Sequence, residues 1–239
     1  MALHSYTFAE LKAAVTHALG KSPDSSLTSE GEIVNDALAD FVNLHPWSWR
    51  RKASSLNLTA DQNYVALPSD FAALDAIQMA CTSGCLHPTS LQQIIDGRSS
   101  TLAVPISGTY WYAVAWTGQT SATASPTARL ELWPTPAATV ASAITLSYFR
   151  IIPALSGATD LPDMPPHFHR ALKAFVRAHA LEEDGQPEAV DAMAKAMSLI
   201  QPLMREDGTI QASLGMPRGG LDAPPWRTTA IRPGDTIEY

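Results

Sequence analysis

His167 and His169 flank one phenylalanine in "MPPHFHRAL", and Asp163 lies four residues before the first of them. A histidine beside a carboxylate is the base half of a hydrolytic site. No nucleophile accompanies it: the chain has no Gly-x-Ser-x-Gly, no glycine-rich phosphate loop and no Gly-x-Gly-x-x-Gly after a strand. A shared metal is also disfavoured, because helix positions two apart point away from each other. Cys81, Cys85 and His87 in "CTSGCLH" could hold a local disulfide or offer three ligands to zinc. The spacing within a Gly-Ser turn is a poor zinc pattern and no fourth ligand is in sight, so two free thiols are expected. "EEDG", Glu182 to Gly185, gathers three carboxylates at a helix C-terminus, where negative charge is unfavourable, and reads as a solvated turn. These residues predict no catalytic site, no cofactor and no metal.

"HPWSWRRK", His45 to Lys52, places two tryptophans two apart and then three cations. Aromatic rings next to cations can stack bases and touch phosphates. The chain as a whole argues against a nucleic-acid grip, with a net charge of -7, since phosphate affinity needs clustered Lys and Arg. The expectation is structural: Trp47 and Trp49 on one face of an extended segment, joining a helical part to a sheet, with Arg50, Arg51 and Lys52 on the rim as a solvated edge or as salt-bridge partners. His179 falls on an apolar helical stripe and reads as a satisfied core histidine.

The elements that carry these residues follow from periodicity. Thr7 and Glu10 form a capping box before a stripe of Phe8, Leu11, Val15 and Leu19, and Gly20 ends that helix. Ser29 and Glu32 open a second, with Ile33, Ala37, Phe41 and Leu44 as its stripe and Pro46 as its stop. The period then falls to two. "SSLNLTA", "YVALP", "GTYWYAVAW", "ARLELWP" and "AITLSYFRI" read as strands, and "SLQQIIDGR" as a short helix. Five of the six tryptophans lie in this middle region, as suits a small sheet that must bury much area with few strands. Helices return at "MPPHFHRALKAFVRAHALEEDG", which begins on proline, and at "PEAVDAMAKAMSLIQPLMRED", where Pro202 should kink or end the helix. From Gly208 the chain is rich in Gly and Pro and aperiodic.

The pattern predicts an α+β fold: a four-helix bundle with an inserted antiparallel β module and an extended C-terminal arm. The bundle is expected from residues 1–46 and 160–206, the β-rich lobe from 47–159 and the arm from 207–239. The N-terminus carries no signal peptide and no apolar run approaches the ~20 residues that span a bilayer, so no membrane partner is expected. The charged fraction, 16%, is low for a free-standing surface and points to contact with other protein.

The order of these motifs resembles the head-to-tail connector, or adaptor, proteins of tailed bacteriophages. The residues that carry the resemblance are the helix ending into "HPWSWRRK", then "YVALPSDF" (Tyr64 to Phe71), "LELWPTP" (Leu130 to Pro136), "ITLSYFRIIPAL" (Ile144 to Leu155) and "DLPDMPPHFHRAL" (Asp160 to Leu172). Family members share a tryptophan-rich corner, a Leu-Pro-x-Asp-Phe turn, a Pro-x-Pro turn, a Tyr-x-Arg strand and an Asp/Pro-rich approach to a long helix. The resemblance covers roughly residues 5 to 206. It implies a structural protein of the virion neck, assembled in the host cytoplasm. It implies a homo-oligomeric, usually dodecameric, ring docked under the portal protein. The remaining partners would be neighbouring copies, a downstream tail or nozzle protein, and genome DNA passing through the lumen without sequence-specific binding. It further implies that the C-terminal arm binds the portal. Trp226, Arg227 and Tyr239 are the arm's candidate anchors, since aromatics and arginine dominate interface energetics.

Two rival readings stand beside this one. The β lobe could grip a glycan or peptide on Trp111 and Trp116, although five residues apart in a strand puts them on opposite faces unless a bulge intervenes. A hydrolase would use His167 or His169 with Asp163.

Overall fold

A computed structural model describes residues 5–20, 29–79, 85–99, 109–117 and 127–213. The chain divides into two compact units, one of residues 1–49 and 154–239, the other of residues 50–153.

The first unit is helical. α1 (Phe8–Leu19) and α2 (Glu30–Asn43) each open on a complete capping box, Thr7 with Glu10 and Ser29 with Glu32, so the first turn of each helix satisfies its own free amides. Further α1 amides are met from outside: Phe8 N–H donates to the Asp160 carbonyl at 2.8 Å and Ala9 N–H to that of Ala158 at 3.0 Å. Gly20 ends the helix at φ 68°, a left-handed conformation that costs glycine nothing. A 3-10 turn at Pro166–Phe168 leads into α4 (His169–Glu183), and α5 (Ala189–Ser213) follows. α4 buries Leu172, Phe175 and Val176 and packs against α1, α2 and α5, while α1 packs against α2.

Two expectations change in this unit. Trp47 and Trp49 do not lie on an extended segment. Trp47 N–H donates to the His45 carbonyl at 2.8 Å, and Ser48–Arg50 continue as a 3-10 turn. Both rings therefore belong with the helices and not with the strands. Pro202 does not end α5, which runs on through Gly208 to Ser213, so residues 207–213 are helix and not arm. Proline removes one backbone bond, but Ala196 and Ile200 before it and Asp207 after it are buried, and those contacts hold the helix on both sides of the break.

The second unit is two sheets. β1 (Arg51–Leu58), β7 (Val140–Arg150) and β3 (Phe71–Met79) form one, in the order β1-β7-β3. β2 (Tyr64–Ala66), β6 (Ala128–Trp133), β5 (Thr109–Trp116) and β4 (Cys85–Pro88) form the other, in the order β2-β6-β5-β4. Ile144, Leu146 and Tyr148 alternate inward along β7 and meet Leu130 and Leu132 of β6 and Leu56 and Leu58 of β1 in one core. Not every pairing is antiparallel, as had been expected. β4 and β5 run parallel, because the helix α3 (Leu91–Ser99) crosses between them. α3 sits close on the sheet at Gly97, where a Cβ would fall 2.9 Å from the Trp133 ring, so only glycine fits. β3 and β4 were not expected as strands. In β3 two register shifts, between Phe71 and Ala73 and between Leu74 and Ala76, break the two-residue period by which a strand is read.

Candidate functional site

Of the residues that could have done chemistry, His169 serves the fold. His169 is buried. Its Nδ1 accepts the Tyr6 N–H at 3.1 Å, and its Nε2 lies 3.3 Å from the Met164 carbonyl. With Nδ1 accepting, Nε2 carries the proton and donates, so both ring nitrogens are used as anchors. His167 is exposed, against Phe168. Asp163 is exposed as well. His179 Nε2 lies 3.3 Å from Asp40 at a half-buried position. Glu182 and Glu183 are exposed, and Gly185 turns the chain at φ 66°. Cys85 is an exposed free thiol, while Cys81 lies outside the described residues. Among the described residues no group of three His, Cys, Asp or Glu side chains could hold a metal, and no helix is long and apolar enough to cross a membrane.

The cations after the tryptophans are engaged inside the β unit. Arg50 donates through Nε and Nη2 to the Arg150 carbonyl, each at 3.2 Å, and burial, with the Arg150 charge second, lowers its pKa. Arg51 meets Asp75 at 3.2 Å and lies over the Phe149 ring. Lys52 meets Asp70 at 2.8 Å. Trp111 and Trp116 are also separated. The uninterrupted β5–β6 register puts them on opposite faces of the strand. Trp111 lies against Trp133 and His87, while Trp116, 50% exposed, lies near Phe71. They make no common platform for a sugar. Trp226, Arg227 and Tyr239 lie outside the described residues.

Three carboxylates organise the molecule instead. In the helical unit Asp207 of α5 is 4% exposed. It accepts from the Ser48 amide at 3.1 Å, from the Ser48 hydroxyl and from His45 Nε2 at 3.1 Å. In the β unit Glu131 of β6, 2% exposed, meets Arg129 and the Arg98 guanidinium of α3, the latter at 2.7 Å. Arg98 Nη2 also donates to the Asn63 and Leu132 carbonyls at 2.7 and 2.8 Å, which ties α3 to the sheet. Asp70, in the turn before β3, accepts the Tyr148 hydroxyl and Lys52 Nζ, each at 2.8 Å, while its own carbonyl accepts Ile151 N–H at 2.7 Å. Sequence reasoning singled out none of these three. They are tertiary anchors.

A comparison with known families supplies the context. The family model of the SU10 adaptor protein matches residues 6–217. The chain belongs to this family. Membership gives it a structural role as a bacteriophage adaptor. No curated protein matches the chain. The match stops before Trp226, Arg227 and Tyr239.

As an SU10 adaptor family member, the chain shows why its recurrent motifs sit where they do. The "LPSDF" turn and the "SYFR" strand are far apart in sequence and meet at Asp70, through the Tyr148 hydroxyl and the packing of Phe71 on Tyr148 with ring centroids 5.7 Å apart. In the "DLPDMPP" approach to α4, Asp160 accepts the Ser156 and Gly157 amides at 2.9 and 2.7 Å. Those two backbone bonds lower its pKa.

Asp70 carries a prediction. The Lys52 hydrogen bond, assisted by Tyr148, holds its pKa below the ordinary carboxylate value, and the same contact raises that of Lys52. A depressed carboxylate contributes stability that is present above its unfolded-state pKa and is lost as pH falls through the folded-state value. Asp70→Asn should therefore cost about 1 kcal/mol at neutral pH, the site being partly exposed and screened. The gap to wild type should close below pH ~4. Urea titrations at several pH values check this; an unchanged gap in acid would show that the loss is steric.

Proposed function

We propose that this adaptor forms a ring beneath the portal protein, joins capsid to tail in the virion neck, and contributes to the conduit through which the genome leaves. The family match over residues 6–217 carries the reading. Chemistry-bearing side chains turned to structural use are consistent with it. In this reading the helices of the first unit form a four-helix bundle whose outer faces meet neighbouring copies. The mixed, net acidic charge lets phosphates pass without sticking. Residues 214–239 act as an arm on the portal, with Trp226, Arg227 and Tyr239 as anchors. Ordering such an arm costs on the order of 1 kcal/mol per residue, so partner contacts must offset it.

The test removes residues 214–239, which spares α5, and measures mass and affinity with purified portal. The full chain should form a defined assembly with the portal, and the truncated chain should bind at least ~100-fold more weakly, the loss of two aromatic or arginine anchors. Unchanged binding defeats the arm; no assembly with the full chain defeats the ring.

A further inference from the structure

The solvent faces of α2 and α4, both in the helical unit, carry opposite charge. Opposite its buried face α2 presents Glu32, Asp36 and Asp40, all exposed, and the helix has no Lys or Arg. In α4 the sign is reversed. Its exposed face carries Arg170 and Arg177 with half-buried Lys173 beside them, and its only acids, Glu182 and Glu183, end the helix. α5 shows no such segregation, since Asp191, Lys195, Arg205 and Glu206 are all exposed along it. Asp36, Arg170 and Arg177 have no ion-pair partner among the described residues. Asp40, at the edge of its face, lies 3.3 Å from His179, and Lys173 lies over the Tyr6 ring.

The two charged faces cannot meet within one chain. α2 and α4 pack on each other through Phe41 and Phe175, whose ring centroids are 6.0 Å apart. Successive helix residues turn by about 100°. Glu32 and Asp36 therefore lie about 180° and about 140° round α2 from Phe41, and Arg170 and Arg177 about 140° and about 160° round α4 from Phe175. The acidic and basic faces look out from opposite sides of the helix pair. Their lengths agree, with about 12 Å of helix from Glu32 to Asp40 and about 10 Å from Arg170 to Arg177. Each face also contains a small residue, exposed Ala39 or half-buried Ala174, which lets a facing helix approach closely. We infer that the acidic face of α2 in one copy docks on the basic face of α4 in the next. The inference rests on the ring reading above and says which faces close the ring. A ring is closed by two different, complementary patches on each subunit, and these two match in sign and length. One chain supplies both halves, which selects a second copy as the occupant. Surface ion pairs are individually weak, but rows of opposite sign fix which faces meet and reject like faces.

The experiment measures the mass and affinity of the full chain assembling on purified portal. Asp36→Lys with Asp40→Lys makes both faces basic, and Arg170→Glu with Arg177→Glu makes both acidic; Glu32 is kept because it closes the capping box of α2. Each variant alone should assemble about tenfold more weakly than wild type at roughly 0.1 M salt. An equal mixture of the two, or one chain with all four substitutions, should recover wild-type assembly, because every contact again pairs opposite signs. Wild-type assembly should also weaken as salt rises. Circular dichroism checks that each variant folds; should one fail to fold, the salt titration of the wild-type chain decides, and an assembly indifferent to salt overturns the inference. Unchanged assembly of the reversed variants overturns it as well, and then only the choice of faces is wrong. Loss in both variants without recovery in the mixture or the fourfold variant means that the faces meet another protein, and also overturns it. If wild type forms no multi-copy assembly on the portal, the ring reading falls and this inference with it.

Discussion

Replacing Trp47 with alanine should remove about 3–5 kcal/mol of stability, the range for deleting a large aromatic from a core. The side chain is 0% exposed. Its ring stacks on Phe41 at 5.6 Å and meets Phe168 edge-on at 5.0 Å and His45 at 4.8 Å. Its Nε1–H donates to the Phe41 carbonyl at 3.2 Å. Phe41 sits near the end of α2 and Phe168 just before α4, so one ring pins two helices and the turn that follows the first. Alanine would leave a cavity with walls on separate elements, which collapse poorly, and would remove one of the two hydrogen bonds that the Phe41 carbonyl accepts, the other coming from Leu44 N–H. Trp47→Phe keeps most of the contact area and should cost less than half as much. Thermal unfolding followed by circular dichroism checks both, with a shift of roughly 10 °C expected for alanine, at 2–4 °C per kcal/mol in a chain of this size. A melt within a degree or two of wild type would show that the aromatic corner is dispensable.

That corner illustrates what could be read from sequence and what could not. The tryptophans are conspicuous in the sequence, but their spacing suggests an extended segment where the chain forms a 3-10 turn. An alternating pair next to a strand looks extended, and nothing local says that the backbone stays in a tight turn after Pro46. Where the information is local, it was legible. Thr7 with Glu10, Ser29 with Glu32, and the glycines at 20 and 185 mark helix ends within a few residues of themselves, and β5, β6 and β7 are rich in the aromatic and β-branched residues that favour strands. β3 was not legible because its two register shifts scramble the alternation. The continuation of α5 past Pro202 depends on burial by other elements. The three organising carboxylates are the extreme case. Ser48 and Asp207 are 159 residues apart, and Asp70 and Tyr148 are 78 apart. A lone Asp in an ordinary turn or helix carries no mark of a partner so distant. The family motifs come closest, since "LPSDF" and "SYFR" contain both ends of the Asp70 contact.

Asp207→Ala should cost about 3 kcal/mol, and the reason is the groups left behind. Among the groups the carboxylate accepts from are the Ser48 amide, the Ser48 hydroxyl and His45 Nε2. Removing the acceptor of a buried, charge-assisted set leaves each donor with a desolvation penalty of about 1 kcal/mol or more. Asp207→Asn keeps one acceptor oxygen and should cost roughly a third as much. The two variants should differ in place as well as in size. Asp207 lies five residues beyond Pro202, where α5 lacks one of its own backbone bonds, so loosening should concentrate on this last part of the helix. Hydrogen exchange would then rise over residues 203–213 and remain low over α4, whose buried face is untouched. Global unfolding in urea with uniform exchange would instead mean that Asp207 supports the whole helical unit equally. An unaltered urea midpoint would mean that water replaces the carboxylate. The first outcome matters most for function. The end of α5 sets where residue 214 begins, so the arm of the proposed reading would start from the position Asp207 fixes.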